Sequence, residues 1–295
     1  MDEPGFCQIN DNLVNLHVKH TLRYAYDKPV VLDPHVLYLY PKSYPHQRVL
    51  DYSLHIEPTP SRIVRNVDVE GNIEQVIYFE FPTSHLLVAA SMTLSSDPFN
   101  VFDFVLFPFE AQKIPFRYPD RLNKYLGPYL TRQDTTPNIE QFAREIASGA
   151  QWSTVPFLTE LSRYIHDHFG YEQREEGQAF PPDETLRGRK GSCRDFSRLF
   201  IAACRSLGIA ARFVSGYLYG NPMQAHELHA WVEVYLPGAG WRGFDPTEGR
   251  AMVNNHICLG ASADYNQLAP VMGTFRGATS SYLTTEVDIE EVESR

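Results

Sequence analysis

Three residues in the second half of this 295-residue chain could do chemistry together. Cys193 lies in Gly191-Ser192-Cys193-Arg194-Asp195-Phe196, His229 in Leu228-His229-Ala230-Trp231, and Asp245 in Phe244-Asp245-Pro246. A thiol, an imidazole and a carboxylate are the inventory of a nucleophile, its base and the group that orients the base. Each also has an ordinary reading. A single helical Cys is usually a small core residue, as Cys204 on the same helix is expected to be. A strand His is usually a satisfied structural group, and Asp before Pro is usually a turn residue.

The elements that must position these groups can be read locally. Ser192 followed three residues later by Asp195 is a capping-box-like start, with Phe196, Leu199, Phe200, Ala203 and Leu207 forming the apolar face of a helix. Cys193 then occupies the first helical turn, where unpaired N–H groups and the positive dipole end favour a thiolate and could bind an oxyanion. Strands follow at Ala211–Tyr219, Ala230–Tyr235 and Trp241–Phe244, with Pro237-Gly238-Ala239-Gly240 as a turn. A hairpin there would carry Asp245 to His229. Tyr171 and Gln178, upstream of the nucleophile, and Trp231, beside the base, are candidates for a second oxyanion donor or for substrate contact. Each has an equally ordinary structural reading.

Other chemistries fit less well. His226-Glu227-Leu228-His229 lacks the i, i+4 His pair of a helical zinc motif, and His166 and His168 cannot face one ligand. No phosphate-cradling glycine loop and no GxSxG elbow occur. No metal and no cofactor are expected. A formal charge of −10 without a basic stripe argues against nucleic acid. Four scattered cysteines (Cys7, Cys193, Cys204, Cys258) do not make a disulfide framework. The N-terminus Met-Asp-Glu-Pro-Gly-Phe carries no leader pattern, and no apolar run is long enough to span a bilayer. A cytoplasmic protein without a membrane partner is the expectation; nothing sets an oligomeric state.

The fold class reads as α+β. Residues 1–110 form a β-rich domain, with alternation from Leu16 to Tyr26, apolar runs at Val36–Tyr40 and Leu50–Ile56, a turn at Glu70-Gly71-Asn72, and further strands at Ile73–Phe79 and Leu86–Leu94. Residues 111–150 are a Pro- and aromatic-rich connector leading into a helix. Residues 151–280 are the core, and 281–295, with Glu286, Asp288, Glu290, Glu291 and Glu293, are expected to be a frayed acidic tail.

The runs GSCRDFSRLFIAACRSLGIAARFVSGYL and HAWVEVYLPGAGWRGFDPT resemble the core of bacterial transglutaminase-like proteins, a branch of the papain-like thiol enzymes. The likeness extends through Glu175, Gln178, Thr185-Leu186, His256-Ile257, Asp264-Tyr265 and Arg276-Gly277. Pro41, Gln47, Gly71-Asn72, Phe102-Asp103-Phe104, Pro115-Phe116 and Pro128-Tyr129-Leu130 resemble the N-terminal region that accompanies this core. The resemblance implies Cys193 as nucleophile, His229 as base and Asp245 as orienting acid, with a Cys-bearing helix packed on an antiparallel sheet. Tyr38, Ala263, Gln267 and Met272 depart from the family pattern, where Arg, Arg, Asp and Arg are commoner, which bears on substrate contacts rather than on the triad. The expected activity is acyl transfer from a peptide or carboxamide through a thioester, with water as acceptor: a cysteine peptidase or amidase acting on peptide or protein. Two alternatives are a cross-linking protein-glutamine γ-glutamyltransferase and a non-catalytic binding protein that kept the fold.

Overall fold

The computed structural model describes residues 13–174, 177–220 and 226–293. Cys7, the N-terminal hexapeptide and Glu175 lie outside the described residues. Six strands open the chain: β1 (Val14–Leu32), β2 (His35–Leu37), β3 (Gln47–Glu57), β4 (Arg62–Val67), β5 (Ile73–Tyr78) and β6 (Thr83–Ser96). Helices α1 (Asp120–Leu126), α2 (Pro137–Gly149) and α3 (Thr154–His168) follow, then β7 (Gly170–Tyr171), α4 (Pro182–Gly188), β8 (Lys190–Gly191) and α5 (Cys193–Ser206). The chain closes with β9 (Ala211–Leu218), β10 (Leu228–Leu236), β11 (Gly240–Asp245), β12 (Arg250–Ala251), β13 (His256–Ser262), β14 (Val271–Met272), β15 (Phe275–Arg276) and β16 (Ser281–Glu291). The architecture is α+β with a β-rich N-terminal region. No helix among the described residues is long and apolar enough to cross a membrane.

The core sheet runs β12–β11–β10–β9–β13, with all neighbours antiparallel. Helix α5 packs on it through Phe196, Leu199, Phe200 and Ala203, all buried. Each such Phe removed from water contributes about 1.5–3 kcal/mol. Phe200 stacks on Phe244 with ring centroids 6.2 Å apart, pinning the helix to the strand that ends in Asp245. Proline-dense residues 97–137 hold only one short α-helix, α1, as a missing N–H at every few positions dictates.

The acidic C-terminus departs from its expected frayed state. Residues 281–291 are strand β16, paired with β1 from Leu16↔Glu291 to Tyr26↔Ser281. Val287 and Ile289 alternate with the acids and are buried against the N-terminal sheet, while Asp288 stands opposite Lys19. Charge density hid a period of two. Strands β14 and β15 likewise pair with β2 and β1, so the strands between 271 and 291 complete the N-terminal sheets rather than trail from the core.

The two halves are welded along β13, the edge of the core sheet. The Gln47 side-chain amide donates to the Cys258 carbonyl (3.0 Å) and accepts from the Cys258 N–H (2.9 Å). Asn72 does the same to Ala261, at 3.0 and 2.9 Å. Two amides thus stand in for the strand that would otherwise pair there. Asn72 also closes the expected turn between β4 and β5, its N–H donating to Asp68 (2.8 Å), with Gly71 at φ +75°.

Candidate active site

Helix α5 begins where the sequence places it. The Asp195 carboxylate folds back over the first turn and accepts from the Ser192 N–H (2.7 Å), the Ser192 hydroxyl (2.9 Å), the Phe180 N–H (2.6 Å) and Arg174 (2.7 Å). A Cβ on Gly191 would sit 2.7 Å from the Asp195 Cβ, so only glycine leaves room for this fold-back. Arg174 lies with its guanidinium 3.6 Å from the Phe180 ring centroid, and Arg194 donates to the carbonyls of Gly177 and Arg174. The polar loop before α4 is thereby tied to the turn that carries Cys193. The Cys193 and Arg194 N–H groups in that turn have no intrahelical acceptor.

His229, near the start of β10, and Asp245, at the end of β11, meet across the hairpin: His229 Nε2 donates to Asp245 Oδ2 at 2.7 Å. The Cys193 sulfur is a close neighbour of the same imidazole and favours its protonated form. Burial opposes a charge on His229, but the Asp245 carboxylate and the neighbouring sulfur outweigh it and raise the imidazole well above its ordinary 6.5. Burial would push the Asp245 carboxyl up; the charge of His229 and its hydrogen bond, with those of His256, hold it well below the usual carboxylate range instead. Asp245 Oδ1 accepts from the N–H groups of Thr247 (2.9 Å) and Glu248 (3.2 Å), made available by the turn that Pro246 opens.

A third group, not singled out for chemistry from the sequence, joins them. His256, at the start of β13 and 1% exposed, directs Nε2 to the same Asp245 Oδ2 at 3.0 Å. Nothing local marks it, because its partner comes from a neighbouring turn. Ligand atoms of His229, Asp245 and His256 lie within 4.8 Å of one another. Two ligand atoms on a tetrahedral zinc stand about 3.3 Å apart. The 2.7 and 3.0 Å separations are hydrogen bonds, and both Nε2 atoms are already spent.

Tyr171, on β7, is brought to the site. Burial first, and the neighbouring Cys193 sulfur with it, raise its phenol well above the ordinary value. Gln178 lines the same cavity from the loop before α4. Trp231 does not reach it, which corrects the expected oxyanion or substrate role. Its indole is fully buried behind the imidazoles, stacked at 6.1 Å from His229 and edge-on at 5.2 Å from His256. Two residues along β10, Trp231 shares His229's face, but its indole lies over Gly216, where a Cβ would sit 2.7 Å from it, so it is covered behind His229 and His256. Trp231 backs the base rather than touching a ligand.

The cavity holds about 1180 Å³. Cys193, His229, Tyr171 and Gln178 line one side; Lys19 on β1 and Asp288 on β16 belong to the other. An isolated bridge from His226 to Val287 joins the approach to β10 to the C-terminal strand. The N-terminal sheet is therefore a wall of the site.

Residues 140–246 match the family model described as the transglutaminase-like superfamily, and residues 16–95 match the bacterial transglutaminase-like N-terminal region. An uncharacterized protein of Mycobacterium tuberculosis is 28% identical over 291 residues, covering 92% of this chain and 91% of its own. A protein-glutamine gamma-glutamyltransferase of Pseudomonas aeruginosa is 33% identical over 97 residues, 30% of this chain and 14% of that protein. A solved candidate cysteine protease from Cytophaga hutchinsonii superposes with a TM-score of 0.74 at 21% identity, over 96% of this chain and 92% of that one. The Cys-bearing helix on its antiparallel sheet and the β-rich half before it are thus shared features, with the transglutaminase-like superfamily matched over residues 140–246 and its bacterial N-terminal region over residues 16–95.

Proposed function

We propose that this protein cleaves a peptide or carboxamide bond by thiol-dependent acyl transfer, with water as the final acceptor. The observation that carries this reading is the line Asp245–His229–Cys193, which ends at the cavity. His229 commits Nε2 to a buried carboxylate and keeps its other nitrogen for the sulfur. Raised above 6.5, the imidazole holds a proton ready for the leaving amine.

In the first step the Cys193 sulfur bonds to the carbonyl carbon, and the carbonyl electrons move to oxygen. The N–H groups of the first turn of α5, with the Tyr171 hydroxyl beside the sulfur, are placed to hold that oxyanion. Collapse breaks the C–N bond, the amine takes a proton from His229, and a thioester remains. His229 then takes a proton from water as the water attacks, and the free acid leaves with the thiol restored. The partner is a peptide or protein, and no cofactor enters.

A second reading, transfer to a lysine amine, draws support from Glu227, Glu286 and Asp288 on the cavity lining, which would attract a cationic acceptor. One experiment separates the two. A pool of glutamine-containing peptides incubated with the protein, with and without a primary amine, should show amine-independent hydrolysis by mass spectrometry; predominant amine adducts would establish the transferase instead. The activated sulfur itself is tested with iodoacetamide at pH 6. Cys193 should be alkylated about tenfold or more faster in the wild type than in His229→Ala. Equal rates would remove the thiol reading altogether.

A further inference from the structure

We propose that His256 is a positioning residue that fixes the Asp245 carboxylate toward His229, making the working unit a four-membered line, Cys193–His229–Asp245–His256. His256 matters to the chemistry only if His229 and Cys193 act as proposed above. The geometry is specific. Both imidazoles approach a single oxygen, His229 at 2.7 Å and His256 at 3.0 Å, while Oδ1 is held by two backbone N–H groups. A carboxylate with four donors has no proton to give, so each facing Nε2 must carry one. His256 cannot leave: it is buried, edge-on to Trp231, with Nδ1 3.3 Å from the Val253 N–H and 3.2 Å from its carbonyl.

Without His256, one of the two donors on Oδ2 is lost, and the oxygen that meets His229 is held by that ring alone, so it can tilt with the ring about the two N–H groups on Oδ1. His229 would then lose its fixed ring orientation, and misplacement of a base by about 1 Å can cost about a hundredfold in rate. The hydrogen bond from His256 also contributes to keeping the Asp245 carboxyl low.

The test uses the full chain with His256→Leu, which removes the donor, and His256→Gln, whose amide can restore it. Iodoacetamide alkylation of Cys193 at pH 6 should slow about ten- to hundredfold in His256→Leu and recover most of the wild-type rate in His256→Gln. Circular dichroism checks that each variant is folded. In wild type labelled with ¹⁵N-histidine, NMR at pH 7 should place a proton on Nε2 of both His229 and His256. A folded His256→Leu that reacts at the wild-type rate overturns the proposal. So does a neutral His256 with its proton on Nδ1, a measurement that decides the matter even if the Leu variant fails to fold. If instead wild type and His229→Ala react alike, the acyl-transfer reading falls while the NMR result still reports on the His256 bond.

Discussion

The five-stranded core sheet carries two buried charged networks that differ in how they end. Asp245, His229 and His256 run toward a sulfur at the cavity. Arg212 and Glu233, cross-strand neighbours on β9 and β10, form an ion pair at 2.7 Å that ends on itself. Tyr44 donates to Glu233 at 3.0 Å, and the Trp241 ring lies under the Arg212 guanidinium at 4.0 Å. Both sets are almost wholly buried. Burial and paired charge are common to both networks; what sets them apart is that one ends at the cavity and the other does not.

The sharpest way to break this contrast is to neutralise each network in turn. Asp245→Asn should lower the proposed acyl-transfer rate by at least about a thousandfold, because an amide cannot fix the imidazole tautomer or stabilise its charge. A pre-steady-state or single-turnover rate near wild type would equate the two networks. Glu233→Gln should instead leave the rate of the folded protein within about twofold, while costing about 3–5 kcal/mol of stability in urea melts. Loss of activity without loss of stability would reverse the assignment.

Acid should act on a third set of groups. Burial lowers His20 and His46 to about 4 and moves His35 in the same direction. Each favours the neutral ring when folded, so the unfolded chain binds more protons between about 6.5 and 4. Stability should therefore fall as pH drops through that window, by on the order of a few kcal/mol. Asp245, depressed in the fold, loses its contribution only below that range; His229, raised, keeps its own there and loses it as pH climbs past its folded value. Thermal melts from pH 7.5 to 4 check the direction, and a flat profile would contradict it. The smallest effect expected is at Arg23 and Glu286, 3.5 Å apart and largely exposed. Glu286→Ala should change stability by less than about 0.5 kcal/mol.

What the sequence disclosed follows the range of the interactions involved. The elements that carry Cys193, His229 and Asp245 were legible because each has a local signal: a capped helix start, an apolar strand and a strand end before Pro246. Strand β1 and the turn at Gly71 were legible for the same reason. His256 was not, since its hydrogen bond joins the ends of β11 and β13, two strands that do not pair with each other. Trp231 was misassigned because it shares His229's face of β10, and only the room that Gly216 leaves on the neighbouring strand shows that its indole is covered rather than at the cavity. The C-terminal strand was misjudged because Val287 and Ile289 are outnumbered by acids whose charges Lys19 and Arg23 partly answer from β1.

The paired amides of Gln47 and Asn72 along β13 have a consequence for how this molecule can be taken apart. They act as a permanent stopper on a strand whose backbone would otherwise solicit a neighbour. A fragment cut to the second half alone would bare that edge together with Leu259 and Ile257, now buried against the first. Such a fragment should self-associate rather than fold as a monomer, so the β-rich half serves as a built-in chaperone for its α+β neighbour.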